Sequence, residues 1–215
     1  MKKLIPIFAM FAILSLLSCN SKEKHEYIEI ETNFGNMEVM LYNSTPGHRD
    51  NMVKLAKENF YDDLLFHRVI EGFMIQGGDP DSRGAGPEQN LGGGGPGYQI
   101  PHEIGAPHLR GTIAAARNGN PEKKSSGSQF YIVQGKKLSD AEIDNFEKRN
   151  KVTYNAEQRR IYKEEGGSPM LDMGYTVYGE VTKGIEVVDK IAATPKNRER
   201  PVEDVVMKIR YIGKK

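Results

Sequence analysis

Polar and apolar residues alternate along 27–32 and again along 37–42, on either side of Asn33-Phe34-Gly35-Asn36. A period of two around a short turn predicts an opening β-hairpin. The period then lengthens. Met52, Leu55, Ala56 and Phe60 recur at helical spacing, with Thr45 placed to cap and Pro46 in the first turn. Along 66–80, FHRVIEGFMIQGGDP, alternation returns: Phe66, Arg68 and Ile70 fall on one side, His67 and Val69 on the other. Glu71-Gly72 reads as a turn, and a second apolar run, 73–75, leads into Gln76-Gly77-Gly78-Asp79. Strand-like runs recur at 111–117, 127–133, 176–182 and 205–212, and Ile185, Val188 and Ile191 mark another helix. The chain therefore reads as mainly β, with about eight strands and a helix to plug each end; eight strands close a barrel just wide enough to be filled by side chains. A site must then lie on the outer face.

Two stretches interrupt this pattern. Residues 84–97 are glycine-rich, and Gly92, Gly94 and Gly97 satisfy G-x-G-x-x-G. Pro96 sits inside the match and no helical pattern follows it, so a nucleotide site is not expected. Residues 136–169 form an insertion. Ser139 and Glu142 make a capping box ahead of Ile143 and Phe146; Asn155 can cap a second segment, 156–165, ended by Gly166-Gly167. A helical hairpin is expected there, its charges on a solvated face. Between the two stretches, 101–110 reads as loop, with His102 and Glu103 solvated.

Residues 1–19 stand apart. Lys2-Lys3 precede an apolar run, 4–17, too short to span a bilayer comfortably. It ends in Leu16-Leu17-Ser18-Cys19, which resembles a bacterial lipobox, with Leu17 where a smaller residue is commoner. An ordinary signal peptide and an uncleaved anchor are the other readings. The lipobox makes Cys19 the lipid-attachment residue, 20–26 a polar tether, and the location a bacterial envelope, membrane-anchored and facing the periplasm. Cys19 is the single cysteine, so no disulfide can form within the chain. The net charge of +1 gives no electrostatic case for nucleic acid.

Candidate chemistry gathers in 66–80: one permanent cation, Arg68, near the apolar pair Phe73 and Met74 and the amide of Gln76. No nucleophile accompanies them, and the histidines lack metal spacing. The run Phe66-His67-Arg68, then Gly72-Phe73-Met74, then Gln76-Gly77-Gly78-Asp79 resembles the signature of the cyclophilins, peptidyl-prolyl cis/trans isomerases. GTIAAARNG (111–119), GSQFYIV (127–133) and LDMGYTVYGEV (171–181) follow in the family's order. The resemblance covers 27–213 apart from 136–169. It implies a closed eight-stranded antiparallel barrel capped by two helices, and proline-containing peptides or unfolded proteins as partners. It implies no metal or cofactor, and a monomer is expected. By the same resemblance Arg68 and Gln76 are catalytic. Phe73, Met74, Ala116, Arg117, Gln129, Tyr131, Leu171 and Tyr175 bind substrate, Ala116 and Arg117 through their main chain. His67 is expected as a structural hydrogen-bonder, because no proton moves in the reaction. The rival reading is a peptide-binding chaperone module with incidental isomerase activity. Both ends of 136–169 flank the pocket, so the hairpin is expected to form a wall of the peptide groove.

Overall fold

A computed structural model describes residues 23–215, so the leader expected over 1–19, with Cys19, lies outside the described residues. β1 (Glu26–Thr32) and β2 (Gly35–Leu41) form the opening hairpin, followed by α1 (Pro46–Lys57). The central motif supplies β3 (Leu64–Leu65), β4 (Arg68–Ile70) and β5 (Met74–Gly77). β6 (Gln99–Ile100), β7 (Thr112–Ala115), β8 (Ser125–Ser126) and β9 (Phe130–Val133) precede the insertion, which holds α2 (Asp140–Asn150) and α3 (Ala156–Glu164). β10 (Val177–Lys183), α4 (Ile185–Ala192), the short pair β11 (Lys196–Asn197) and β12 (Arg200–Pro201), and β13 (Val206–Lys214) complete the chain.

Nine strands form one antiparallel sheet in the order β3-β13-β1-β2-β10-β7-β9-β5-β4. Its two edges, β3 and β4, are separated in sequence only by Phe66 and His67, and no ladder joins them. The expected eight strands are recovered when β3 and β4 count as one strand bent in the middle. The two edges of the curled sheet are thus joined by the chain itself and not by a ladder of hydrogen bonds. Phe66 N–H donates to Val205 O (2.9 Å) and Val69 N–H to Glu199 O (2.6 Å), which hold the bend in place. The bend breaks the alternation expected across 66–70. Phe66 and Val69, three residues apart, both enter the main core, while Ile70 packs on the opposite face.

The interior is sealed as the pattern requires. Ile28 and Ile30, Met37, Val39 and Leu41, Ile113, Phe130 and Ile132, and Met207 and Ile209 point inward from successive strands. Met52, Leu55 and Ala56 of α1 close one end, and Val187, Val188 and Ile191 of α4 the other. β7 and β9 are buried at every position. Such continuous burial needs cover on both faces, and here the second face is covered by a separate apolar cluster outside the barrel.

The start of α1 corrects two expectations. Thr45 occupies the N-cap position but makes no capping bond; its hydroxyl donates to Tyr42 O at 3.3 Å. The cap comes instead from Glu103, expected as a solvated loop residue. Its carboxylate accepts from Gly47 N–H (3.0 Å), His48 N–H (2.9 Å) and His48 Nδ1 (2.6 Å), while His48 Nε2 meets Ser125 Oγ at 3.0 Å. A carboxylate at a helix start also complements the helix dipole. Burial pushes the Glu103 carboxyl up, but His48 and the two N–H groups outweigh it and hold it below the usual range. Glu103→Ala should lower the unfolding free energy by roughly 1–3 kcal/mol in urea titrations near neutral pH. A group with a depressed folded pKa stabilises above its unfolded value and loses that contribution as pH falls through the folded one. Variant and wild type should therefore converge in acid, and a constant difference down to about pH 3 would refute the assignment.

Candidate active site

The pleat and the register position the site. Arg68 pairs with Gln76 across β4 and β5, Gln76 with Tyr131 across β5 and β9, and Tyr131 with Ala114 across β9 and β7. Directly paired residues share a face of the sheet. Arg68, Gln76 and Tyr131 therefore stand in one outward row, and the residues two positions along, Ile70, Met74 and Val133, form the next.

Around these rows lies the outer apolar cluster. Met74, Ala116 and Tyr131 are buried in it, with Phe73, Leu171 and Tyr175 half-buried on top. Phe73 and Met74 share this cluster although they are adjacent in sequence. Phe73 precedes β5 and belongs to the turn, where its N–H donates to Ile70 O, so strand alternation does not apply to it. Gly72 takes a left-handed conformation (φ +72°) that makes the turn possible, and Lys136 would clash with any Cβ there.

The polar side is wired laterally. Arg68 Nη1 donates to Gln76 Oε1 (3.2 Å), Gln76 Nε2 to Gln129 Oε1 (3.3 Å), and Gln129 Nε2 to Gly94 O (2.7 Å). Asp79, fully buried, accepts from Gly92 and Gly94 N–H and so folds the glycine-rich loop back beside Gln129. A Cβ at Gly94 would fall 2.1 Å from Asp79 Oδ1, which is why that position is glycine. Arg68 Nε donates to Glu199 Oε2 at 2.6 Å, a partner 131 positions away. Arg68 is therefore held at two of its three nitrogens, and no described residue takes its Nη2.

Two grooves open around Gln76 and Arg117. One, of 300 Å³, runs along Gly92 to Gly95, Ala116, Ser126 and Gln129. The other, of 780 Å³, is bordered by Arg68, Leu91, Arg198 and Glu199. Neither is lined by any residue of 136–169, so among the described residues the insertion is not a wall of these grooves. Its charges pair with one another, as expected of a solvated face: Arg159 with Asp140, Asp144 and Glu147, and Arg160 with Glu157, Glu164 and Glu165.

Three site expectations change in detail. Ala116 N–H is taken by Gln129 O (2.9 Å) and its carbonyl accepts from Ser126 N–H (2.8 Å), so a peptide could reach only the carbonyl's second lone pair. Arg117 contributes its side chain as well: Nε donates to Gly174 O (2.9 Å) and the guanidinium lies 4.7 Å over the Tyr175 ring. His67 is buried; neither ring nitrogen makes a hydrogen bond of full geometry among the described residues, and the group its ring approaches is the Leu65 main chain. Burial lowers its pKa and keeps it neutral near pH 7.

Sequence reading missed Glu199, which sits in the charge run of 196–200 with no periodic signal. It also missed His108 and Asp172, buried immediately behind the apolar cluster.

Comparison with known proteins identifies the family and the fold. The model of the cyclophilin-type peptidyl-prolyl cis-trans isomerase/CLD family matches residues 27–211. A "Putative peptidyl-prolyl cis-trans isomerase" of Staphylococcus aureus (strain COL) is 35% identical over 185 residues, covering 84% of this chain and 88% of that one. A protein of the same description from Staphylococcus haemolyticus (strain JCSC1435) is 33% identical over 182 residues, covering 84% and 87%. Among solved structures, a cyclophilin-type isomerase of Cryptosporidium parvum superposes with a TM-score of 0.62 at 23% identity, over 87% of this chain and 97% of that one. The same protein in the presence of the dipeptide Ala-Pro gives a TM-score of 0.60 at 22% identity, over 86% and 98%. At that identity the superposition speaks for the fold, and the family match over 27–211 carries the rest. The chain belongs to the cyclophilin-type peptidyl-prolyl cis-trans isomerases.

Proposed function

We propose that Arg68 accelerates prolyl isomerisation by donating from Nη2 to the imide nitrogen as the bond twists. A prolyl bond resists rotation because resonance gives C–N partial double-bond character, with a barrier of roughly 18–20 kcal/mol. At the twisted geometry the nitrogen regains a lone pair, and only then can a donor bond it. A donor aimed at that state lowers the barrier without stabilising the ground state. The carrying observation is the hold on Arg68: Glu199 and Gln76 occupy Nε and Nη1, no described residue takes Nη2, and the cross-strand row Arg68–Gln76–Tyr131 sets the cation on the same face as the apolar cluster. The proline ring would rest on Phe73, Met74, Tyr131 and Leu171, with Gln76, Gln129, Arg117 and Tyr175 around the flanking peptide. Raising a rate of about 10⁻² per second to about 10³ requires roughly 7 kcal/mol of transition-state stabilisation, and one such donor supplies about 3–4 of it.

The lipobox-like end of 1–19 supports a lipid anchor in the envelope, where an isomerase would assist the folding of envelope proteins. Cys19 would carry the lipid; of the tether expected over 20–26, Glu23 and Lys24 accept from Asn43, His25 bonds Lys215 and Glu26 opens β1, so 23–26 belong to the domain.

Arg68→Ala should lower kcat/KM on a proline tetrapeptide by about 10²–10³ with the fold retained. Glu199→Gln removes only an exposed ion pair, worth about 0.2–1 kcal/mol, and should change it by no more than about 5-fold. Wild-type turnover in folded Arg68→Ala would sink the mechanism. No titrating group takes part, so kcat/KM per folded molecule should stay flat from about pH 6 to 9. Below about pH 6.5 the unfolded chain binds protons that buried His48 and His67 refuse, both having lowered pKa values, so stability falls there. A sigmoid in kcat/KM itself near that pH would place His67 in the chemistry. Cys19→Ser, finally, should abolish lipid labelling and release the protein from membranes; retention with an unprocessed amino end would favour a plain anchor.

A further inference from the structure

The outer apolar cluster is backed by a chain of buried polar side chains that leads into the insertion. Tyr131 Oη meets His108 Nε2 at 2.9 Å, and His108 Nδ1 meets Asp172 Oδ1 at 2.6 Å. The same oxygen accepts the His108 main-chain N–H at 2.7 Å. Asp172 Oδ2 accepts from Tyr162 Oη at 2.8 Å and from Tyr154 Oη. Tyr154 lies between α2 and α3, and Tyr162 lies in α3. All five residues are buried, His108 and Tyr162 completely. Burial, reinforced by the Asp172 charge, raises the pKa of each of the three phenols, so each keeps its proton and donates. Both carboxylate oxygens of Asp172 are thus filled, Oδ1 by the His108 main chain and ring and Oδ2 by the two phenols. A buried carboxylate is tolerable only when so bonded.

We propose that the helical hairpin is a positioning device for the proline pocket, in which Tyr154 and Tyr162 act through Asp172 and His108 to set the ring of Tyr131. This rests on Tyr131 and Leu171 lining that pocket, as argued above. His108 stacks on Tyr131 with ring centroids 5.9 Å apart and planes 10° from parallel, and Tyr175 meets both rings edge-on. A displaced imidazole therefore moves two side chains of the pocket. Asp172 also follows Leu171 directly, and Asn150 Nδ2 at the end of α2 donates to Pro169 O (2.7 Å), so the hairpin grips the turn that carries Leu171 from both sides. Its neck is stitched to the loop that carries His108. Ser168 N–H donates to His108 O (2.8 Å) and Arg110 N–H to Gly166 O (3.0 Å). A Cβ at Gly167 would lie 2.6 Å from His108 O and 2.4 Å from the Tyr162 ring, so backbone and ring touch there without a spacer. The hairpin lies behind the pocket, as a buttress.

The test is a double-mutant cycle on the purified full chain, with a proline tetrapeptide as substrate. Tyr154→Phe/Tyr162→Phe removes two donors and keeps both rings; Tyr131→Phe disconnects the pocket end. The hairpin pair should lower kcat/KM about 3- to 10-fold, mostly through KM, the scale of a sub-ångström misplacement of a binding group. Tyr131→Phe should cause a loss of similar size, and combining all three should lower kcat/KM no further than Tyr131→Phe alone. Multiplying effects, or a hairpin pair that is folded and unchanged within about twofold, would overturn the inference. If the pair does not fold, Tyr154→Phe alone serves in the same cycle. Nitrogen-15 NMR of His108 provides a readout independent of turnover: the hairpin pair should shift His108 Nε2 and the Tyr131 ring signals, and unshifted signals would refute the relay. Failure of the pocket assignment is separate, since it shows as unaltered turnover in Arg68→Ala while the His108 signals still report on the relay.

Discussion

Alternate residues of every strand in this sheet are committed to a sealed interior, and the chemistry must be built from those that remain. The register of β4, β5, β9 and β7 aligns Arg68, Gln76, Tyr131 and Ala114 across the outer face, so a cation, an amide and an aromatic ring become neighbours through strand pairing. Slipping any of these strands by one residue would send the row into the core. The register is safe because Phe66, Val69, Ile75, Phe130 and Ile132 would have to leave the interior together. Packing inside the barrel thereby fixes electrostatics outside it.

The bent segment from β3 to β4 links closure to the site. Phe66 enters the core from one arm and Arg68 leaves it from the other, and the turn between them brings the edges of the sheet together. The bend also carries Arg68 towards the loop of Glu199, whose carbonyl and carboxylate receive Val69 N–H and Arg68 Nε in turn.

Local rules were readable wherever the chain acts on its near neighbours. The opening hairpin, the two plugging helices and the Ser139–Glu142 capping box were visible as periods or as a pair three residues apart; Asn155 was visible as a cap, and the structure completes it as a second box with Gln158. The bend at 66–67 was not visible, because it answers to closure of the whole sheet. Glu103 and Glu199 escaped for a related reason: each completes a group 55 or more positions away, and polar pairing across such a separation has no period. Thr45 was the wrong cap on the right helix, since any side chain that reaches the free N–H groups can serve and a carboxylate from a distant loop arrived first. The outward site residues were legible through family resemblance. The relay behind them was not, because His108, Tyr154 and Asp172 belong to separate stretches that meet only in the fold.

The pairing of His25 with Lys215 has a mechanical consequence. His25 and Lys215 bond each other through both main-chain groups, and β1 runs inward from that point between β13 and β2. A pull on residues before 25, directed along β1, loads two antiparallel ladders side by side in shear, and many bonds must fail at once. The same pull across the sheet opens them one at a time, starting at the His25–Lys215 pair. Whatever holds the amino end thus meets a stiff or a compliant domain according to direction. The pocket row lies on strands beyond β2 and β10, away from the first bonds to break.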